Sequence, residues 1–169
     1  EKSHGDAAFD RIRSMTPLDD YRALREGAAI GSVSPRAQVA VAGKDRAFYL
    51  QGLLTNDIVG LAPGSGCYAA WLSPQGRMLT DMHVLESGGM ILLDLPAETA
   101  AATVERLDQF IFSEDVQVGS MADTLAGISV HGPRAAEVFE ASLDGAVGLG
   151  EWQDYRHAQL EFAAQPVWV

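Results

Sequence analysis

Asp81, His83 and Leu85 fall at alternate positions of one run, Arg77–Leu85 (RMLTDMHVL). On a strand, a period of two puts them on one face. A carboxylate there can take or relay a proton, or stabilise a developing cation. Two readings of Asp81 stand: a solvated residue of an alternating strand, or a carboxylate that faces a ligand. His83 shares its face and is either a half-exposed strand histidine or part of a cavity lining. Arg77, at the turn before this run, is either a solvated side chain or a charged fork for a ligand carboxylate. In the preceding run, Cys67–Leu72, Tyr68 and Trp71 have opposite parity, so Trp71 is assigned to the core. Cys67 reads as a small buried apolar residue. His4, His83, His131 and His157 have no ligand spacing, and there is no Walker loop, G-x-S-x-G or H-E-x-x-H. No metal site is expected.

These residues need elements to place them. Thr16-Pro17 followed by LDDYRALREG predicts a helix over Leu18–Gly27, with Thr16 as N-cap and Gly27 at the C-terminal end. Gln38–Ala42 predicts a strand, and Lys44–Leu54 a helix opened by Gly43. Thr55-Asn56-Asp57 ends that helix through local side-chain bonds. An antiparallel meander follows: strands at Cys67–Leu72, Arg77–Leu85 and Met90–Leu95, joined at Ser73–Gly76 and Ser87–Gly89. Pro96–Phe112 predicts a helix with Val104, Leu107, Phe110 and Ile111 as its stripe, and Asp115–Val118 a short strand.

The chain then begins again. Val39–Leu54 and Ile128–Leu143 match at an offset of 89, with Gly43 against Gly132, Val41 against Val130 and Leu54 against Leu143. Both read as strand, glycine, amphipathic helix. This predicts an internal duplication whose second copy stops at Val169; two unrelated strand–helix units are the alternative.

Composition sets limits. The 169 residues carry 12 Lys and Arg against 23 Asp and Glu, a net charge of −11. Such a surface repels a long phosphate backbone, so nucleic acid is not an expected partner. One cysteine permits no internal disulfide and fits a reducing, cytoplasmic setting. No apolar run reaches the ~18 residues of a spanning helix, so no membrane partner is expected. An N-terminus without Met or an apolar signal core, and an end inside an apolar run, suggest a piece of a longer protein.

From Tyr49 to Asp81 the sequence reads YLQGLLTNDIVGLAPGSGCYAAWLSPQGRMLTD. The order Tyr-Leu-Gln, Thr-Asn-Asp-Ile, Leu-x-Pro-Gly, aromatic strand, Gly turn and Asp-bearing strand resembles the folate-binding superfamily of the glycine-cleavage T-protein (aminomethyltransferase) and the YgfZ-type iron–sulfur proteins. The likeness runs from about Tyr21 past Gly132. It implies an α+β fold: antiparallel sheets with packed helices, in a duplicated folate-binding domain with exchanged strands and a truncated second unit. The implied layout is a polar lead at 1–17, a first unit at 18–122 and the start of a second at 123–169. The resemblance implies tetrahydrofolate as cofactor, Asp81 as the carboxylate facing the folate nitrogens, and Tyr68, thirteen positions earlier, as the pterin-packing aromatic. Arg77, His83 and Leu85 join them as candidate folate contacts.

Departures choose between branches. T-proteins usually read Gly-Gly and Asp-Asp where this chain has Gly76-Arg77 and Thr80-Asp81, and Asn-Ala where it has Leu95-Pro96. Gln75-Gly76-Arg77 and Leu95-Pro96 resemble the YgfZ side, so the expected function is tetrahydrofolate binding linked to iron–sulfur cluster assembly or repair, with assembly proteins as partners. The alternatives are a folate-dependent aminomethyltransferase and a folate-independent interaction module.

Overall fold

The computed structural model describes residues 16–31, 35–143 and 148–169. His4 and most of the polar lead lie outside these residues. The first helix, α1 (Pro17–Glu26), starts as its sequence dictates: Thr16 and Asp19 exchange side-chain and backbone bonds in a capping box, Pro17 fills the first turn, and the Gly27 N–H closes on Ala23 O.

After β1 (Ala29–Gly31) come β2 (Arg36–Ala42), α2 (Arg46–Gln51), β3 (Ser65–Leu72), β4 (Met78–Glu86), β5 (Met90–Pro96), α3 (Ala97–Gln109) and β6 (Gln117–Ser120). Five of these strands form one antiparallel sheet in the order β3-β4-β5-β2-β6. α2 packs on β5, and α3 on β2, β5 and β6. Under the helices lie Val39, Val41, Met82, Val84, Ile91, Leu93 and Leu95, with Leu50 of α2 and Leu107 of α3. Cys67 and Trp71 point to the same side; Trp71 is buried and meets the Phe110 ring edge-on at 6.2 Å. The expected α+β architecture of antiparallel sheet and packed helices is therefore present.

Both core helices are shorter than the sequence pattern predicts. α2 starts at Arg46, not Lys44, because Gly43 takes a φ of 103° and Lys44-Asp45 form a turn. α3 stops at Gln109, ahead of Phe110, and β6 lies two residues later than expected. β4 begins at Met78, leaving Arg77 in the turn.

The rest of the described chain is β7 (Ser129–His131), α4 (Ala135–Glu140), a 3-10 turn (Leu149–Glu151) and the hairpin β8 (Gln159–Phe162) with β9 (Gln165–Trp168). The repeat is visible here. β2 ends at Ala42 and β7 at His131; Gly43 (φ 103°) and Gly132 (φ 115°) follow; α2 spans Arg46–Gln51 and α4 Ala135–Glu140. All four landmarks keep the offset of 89. The partner of β7 is β1, in antiparallel register Ala29 with His131. The first described strand thus pairs across the expected 122/123 boundary. β1 stands to β7 as β6 stands to β2: Arg134 N donates to Gly27 O as Asp45 N donates to Asp115 O.

Candidate functional site

Register decides which side chains meet. Opposite residues of an antiparallel pair share a face. Tyr68 lies opposite His83, Ala70 opposite Asp81, His83 opposite Asp94, and Gln38 opposite Asp94. The sheet face away from α2 and α3 therefore carries Tyr68, Asp81, His83, Asp94, Gln38 and Arg36 together. Across the β3–β4 diagonal, Tyr68 Oη donates to Asp81 Oδ2 at 2.8 Å. That bond favours the neutral phenol and raises the Tyr68 pKa above its ordinary value. Asp81 Oδ1 has no side-chain partner among the described residues.

His83 places Nδ1 3.3 Å from Asp94 Oδ2. Its ring lies 6.1 Å from that of Tyr68 and 5.5 Å from that of Tyr155. Tyr155 had no sequence signal in its favour: it comes from an irregular segment some seventy residues beyond β4. Two features hold it. Gly66 lacks the Cβ that would press on Tyr155 Cβ at 3.2 Å. His157 is buried, with Nε2 3.1 Å from Glu86 O and its main-chain N donating to Gly64 O. Tyr155 itself has a φ of 63°, a conformation a bulky residue adopts only when its surroundings impose it.

Of the other candidates, Leu85 follows on the same face, opposite Gly66. Arg77 does not join the group. A register shift at Trp71/Leu72 pairs Leu72 with Met78, so Arg77 stays exposed in the turn, bonded among the described residues through its backbone to Ser73. Thr55-Asn56-Asp57 does structural work. β3 is an edge strand, and this segment covers it: Asn56 Nδ2 donates to Tyr68 O, Thr55 Oγ1 accepts from Ala70 N, and Thr55 N donates to Ala70 O. Gln51 Oε1 accepts from Ile58 N and Val59 N and folds the same loop. A shallow depression lined by Trp71, Thr80, Thr99 and Arg106 lies on the helical side, away from Tyr68 and Asp81. Burial, then the nearby Asp57 charge, raises the Cys67 thiol pKa, so it is a poor nucleophile there. Among the described residues no group of three or more His, Cys, Asp or Glu is placed to hold a metal, and no helix is long and apolar enough to cross a membrane.

Comparison with known proteins agrees with this layout. The family described as GCVT N-terminal domain matches residues 9–169. An aminomethyltransferase of Bacillus subtilis is 30% identical over 129 residues, covering 76% of this chain and 35% of that protein. A probable aminomethyltransferase of Natronomonas pharaonis is 32% identical over 140 residues, covering 80% and 37%. The crystal structure of glycine cleavage system aminomethyltransferase T from Bartonella henselae superposes with a TM-score of 0.71 at 22% identity, over 85% of this chain and 39% of that one. The chain thus spans about a third of the length of these curated relatives.

Proposed function

Because the chain belongs to the GCVT N-terminal domain family, we propose that its Tyr68–Asp81 face is the tetrahydrofolate-facing surface of an aminomethyltransferase-type protein. The observation that carries this reading is the 2.8 Å bond from Tyr68 Oη to Asp81 Oδ2 on an open sheet face. The curated relatives described above are aminomethyltransferases and favour one-carbon transfer; the expected link to iron–sulfur assembly finds no support in them.

The residues fit a reduced pterin. Tyr68 and Tyr155 offer aromatic faces for a flat ring, and Asp81 offers an acceptor for its N–H groups. When bound, tetrahydrofolate supplies the nitrogens that receive the one-carbon unit. The chain's own part is to orient and to handle charge. Tyr68 Oη occupies Oδ2 and fixes the carboxylate plane. Oδ1 is left to accept a proton or to stand beside developing positive charge.

Calorimetry on the full-length protein tests this. Tyr68→Ala should weaken tetrahydrofolate binding about tenfold, the scale of one lost aromatic contact. Asp81→Asn should keep most of the binding and abolish transfer. Unchanged affinity after Tyr68→Ala would sink the assignment and favour a folate-independent interaction module.

A further inference from the structure

Arg36, Gln38, Asp94 and His83 form one connected polar chain across β2, β5 and β4. Arg36 Nε donates to Asp94 Oδ2 and Gln38 Nε2 to Asp94 Oδ1, the latter at 2.9 Å. A second Arg36 bond, from Nη2, reaches the Asp94 main-chain carbonyl. The carboxylate is therefore held on both oxygens and is only 18% exposed. His83 Nδ1 stands 3.3 Å from the same Oδ2. The pair is not aligned as a hydrogen bond, yet at this distance the Asp94 charge repels a lone pair on Nδ1 and attracts an Nδ1–H. Nε2, on the far edge of the ring, has no protein partner among the described residues.

We propose that His83 is a specificity-determining residue of the Tyr68–Asp81 site, with Asp94 and Arg36 as its positioning residues. Asp94, fixed by Arg36 and Gln38, keeps the proton on Nδ1. Nε2 is then an acceptor, offered beside Asp81 on the same strand face. Two acceptors next to two tyrosine rings select a flat heterocycle with two N–H donors, one for each. This deepens the folate reading and rests on it. Neither Asp94 nor Arg36 touches the ligand; both act through the imidazole.

Long-range proton–nitrogen NMR spectra of full-length protein labelled with 15N-histidine read the tautomer directly, at about pH 9, above the ordinary histidine range. The spectrum of His83→Gln assigns the resonance. Wild-type protein should show Nδ1–H, and Asp94→Asn should lose that preference. A proton on Nε2 in the wild type, or an unchanged tautomer in Asp94→Asn, overturns the proposal. Where Asp94→Asn does not fold, ligand affinity decides. Calorimetry with tetrahydrofolate should show a loss of about 5- to 10-fold for His83→Phe, one hydrogen bond's worth, and a smaller loss for His83→Gln, which keeps an acceptor. Equal affinity for wild type and His83→Phe overturns the proposal. The Nδ1–H tautomer without any tetrahydrofolate binding would refute the folate reading and uphold the positioning by Asp94. Binding with the proton on Nε2 would do the reverse.

Discussion

Two tyrosines of this chain donate their hydroxyls to oxygen, and their surroundings make them different acids. Tyr68 is half exposed and donates a hydrogen bond to the Asp81 carboxylate, which raises its pKa. Tyr49 is buried and bonds the carbonyl of Leu107. Burial, with smaller contributions from the charges of Glu114 and Asp108, pushes the Tyr49 pKa from 10.0 to about 12. A group whose folded pKa is raised adds stability that is full below the unfolded value and disappears as pH climbs through the folded one. Tyr49 therefore helps the fold up to about pH 10 and fails it between there and about 12. An ultraviolet titration of the phenolates should show one tyrosine ionising near pH 12, absent in Tyr49→Phe. A first-derivative step at that pH surviving in Tyr49→Phe would refute the assignment. At this scale the pairing of Tyr68 with Asp81 was legible only through the family resemblance, since the bulge at Trp71/Leu72 lies between them in the chain and decides which faces coincide. Arg36, Asp94 and Tyr155 were not, because strand order and a distant segment bring them in.

The elements are held by contacts that alternation and helical periodicity foretell. Leu50 and Leu107 lie on opposite helices of the core, each at most 1% exposed. Leu50→Ala and Leu107→Ala should each cost about 2–5 kcal/mol in a denaturant titration, the range for truncating a buried leucine. Less than about 1 kcal/mol at either would mean that the site can collapse around the loss. Glu86 is nearly fully buried and receives Arg46 at 2.9 Å; that pair ties the end of β4 to the start of α2. The strands were legible because one sheet face is packed and the other is open, which imposes a period of two. Helix ends were less so: the turn at Lys44-Asp45 depends on a positive φ at Gly43, where the Asp115 carbonyl, about seventy residues away, leaves no room for a Cβ. β1 was not legible at all, since three residues carry no period.

At the scale of the molecule, two glycines mark equivalent joints of the repeat. A Cβ on Gly43 would strike the Asp115 carbonyl oxygen; on Gly132 it would come within 2.5 Å of Gly27 O. Both positions also have a positive φ, which adds about 1–3 kcal/mol of strain for a side chain. Gly43→Ala should speed amide exchange in β2 and β6, and Gly132→Ala in β1 and β7, each leaving the other pair protected. Equal loosening of both pairs by either variant would show that the two units open as one.

The β1–β7 pair has a consequence for how the chain is made. Its two strands are separated by about 100 residues, which at about 5–20 residues per second is 5–20 s of synthesis. Every strand of the five-stranded sheet emerges within that interval, so this sheet can close while β1 waits. The waiting segment includes α1, whose Leu18, Tyr21 and Leu24 are exposed among the described residues. Vectorial synthesis therefore leaves the earliest described segment waiting longest for its strand partner, and a chain ending before Ser129 would display it unpaired beside the five-stranded sheet.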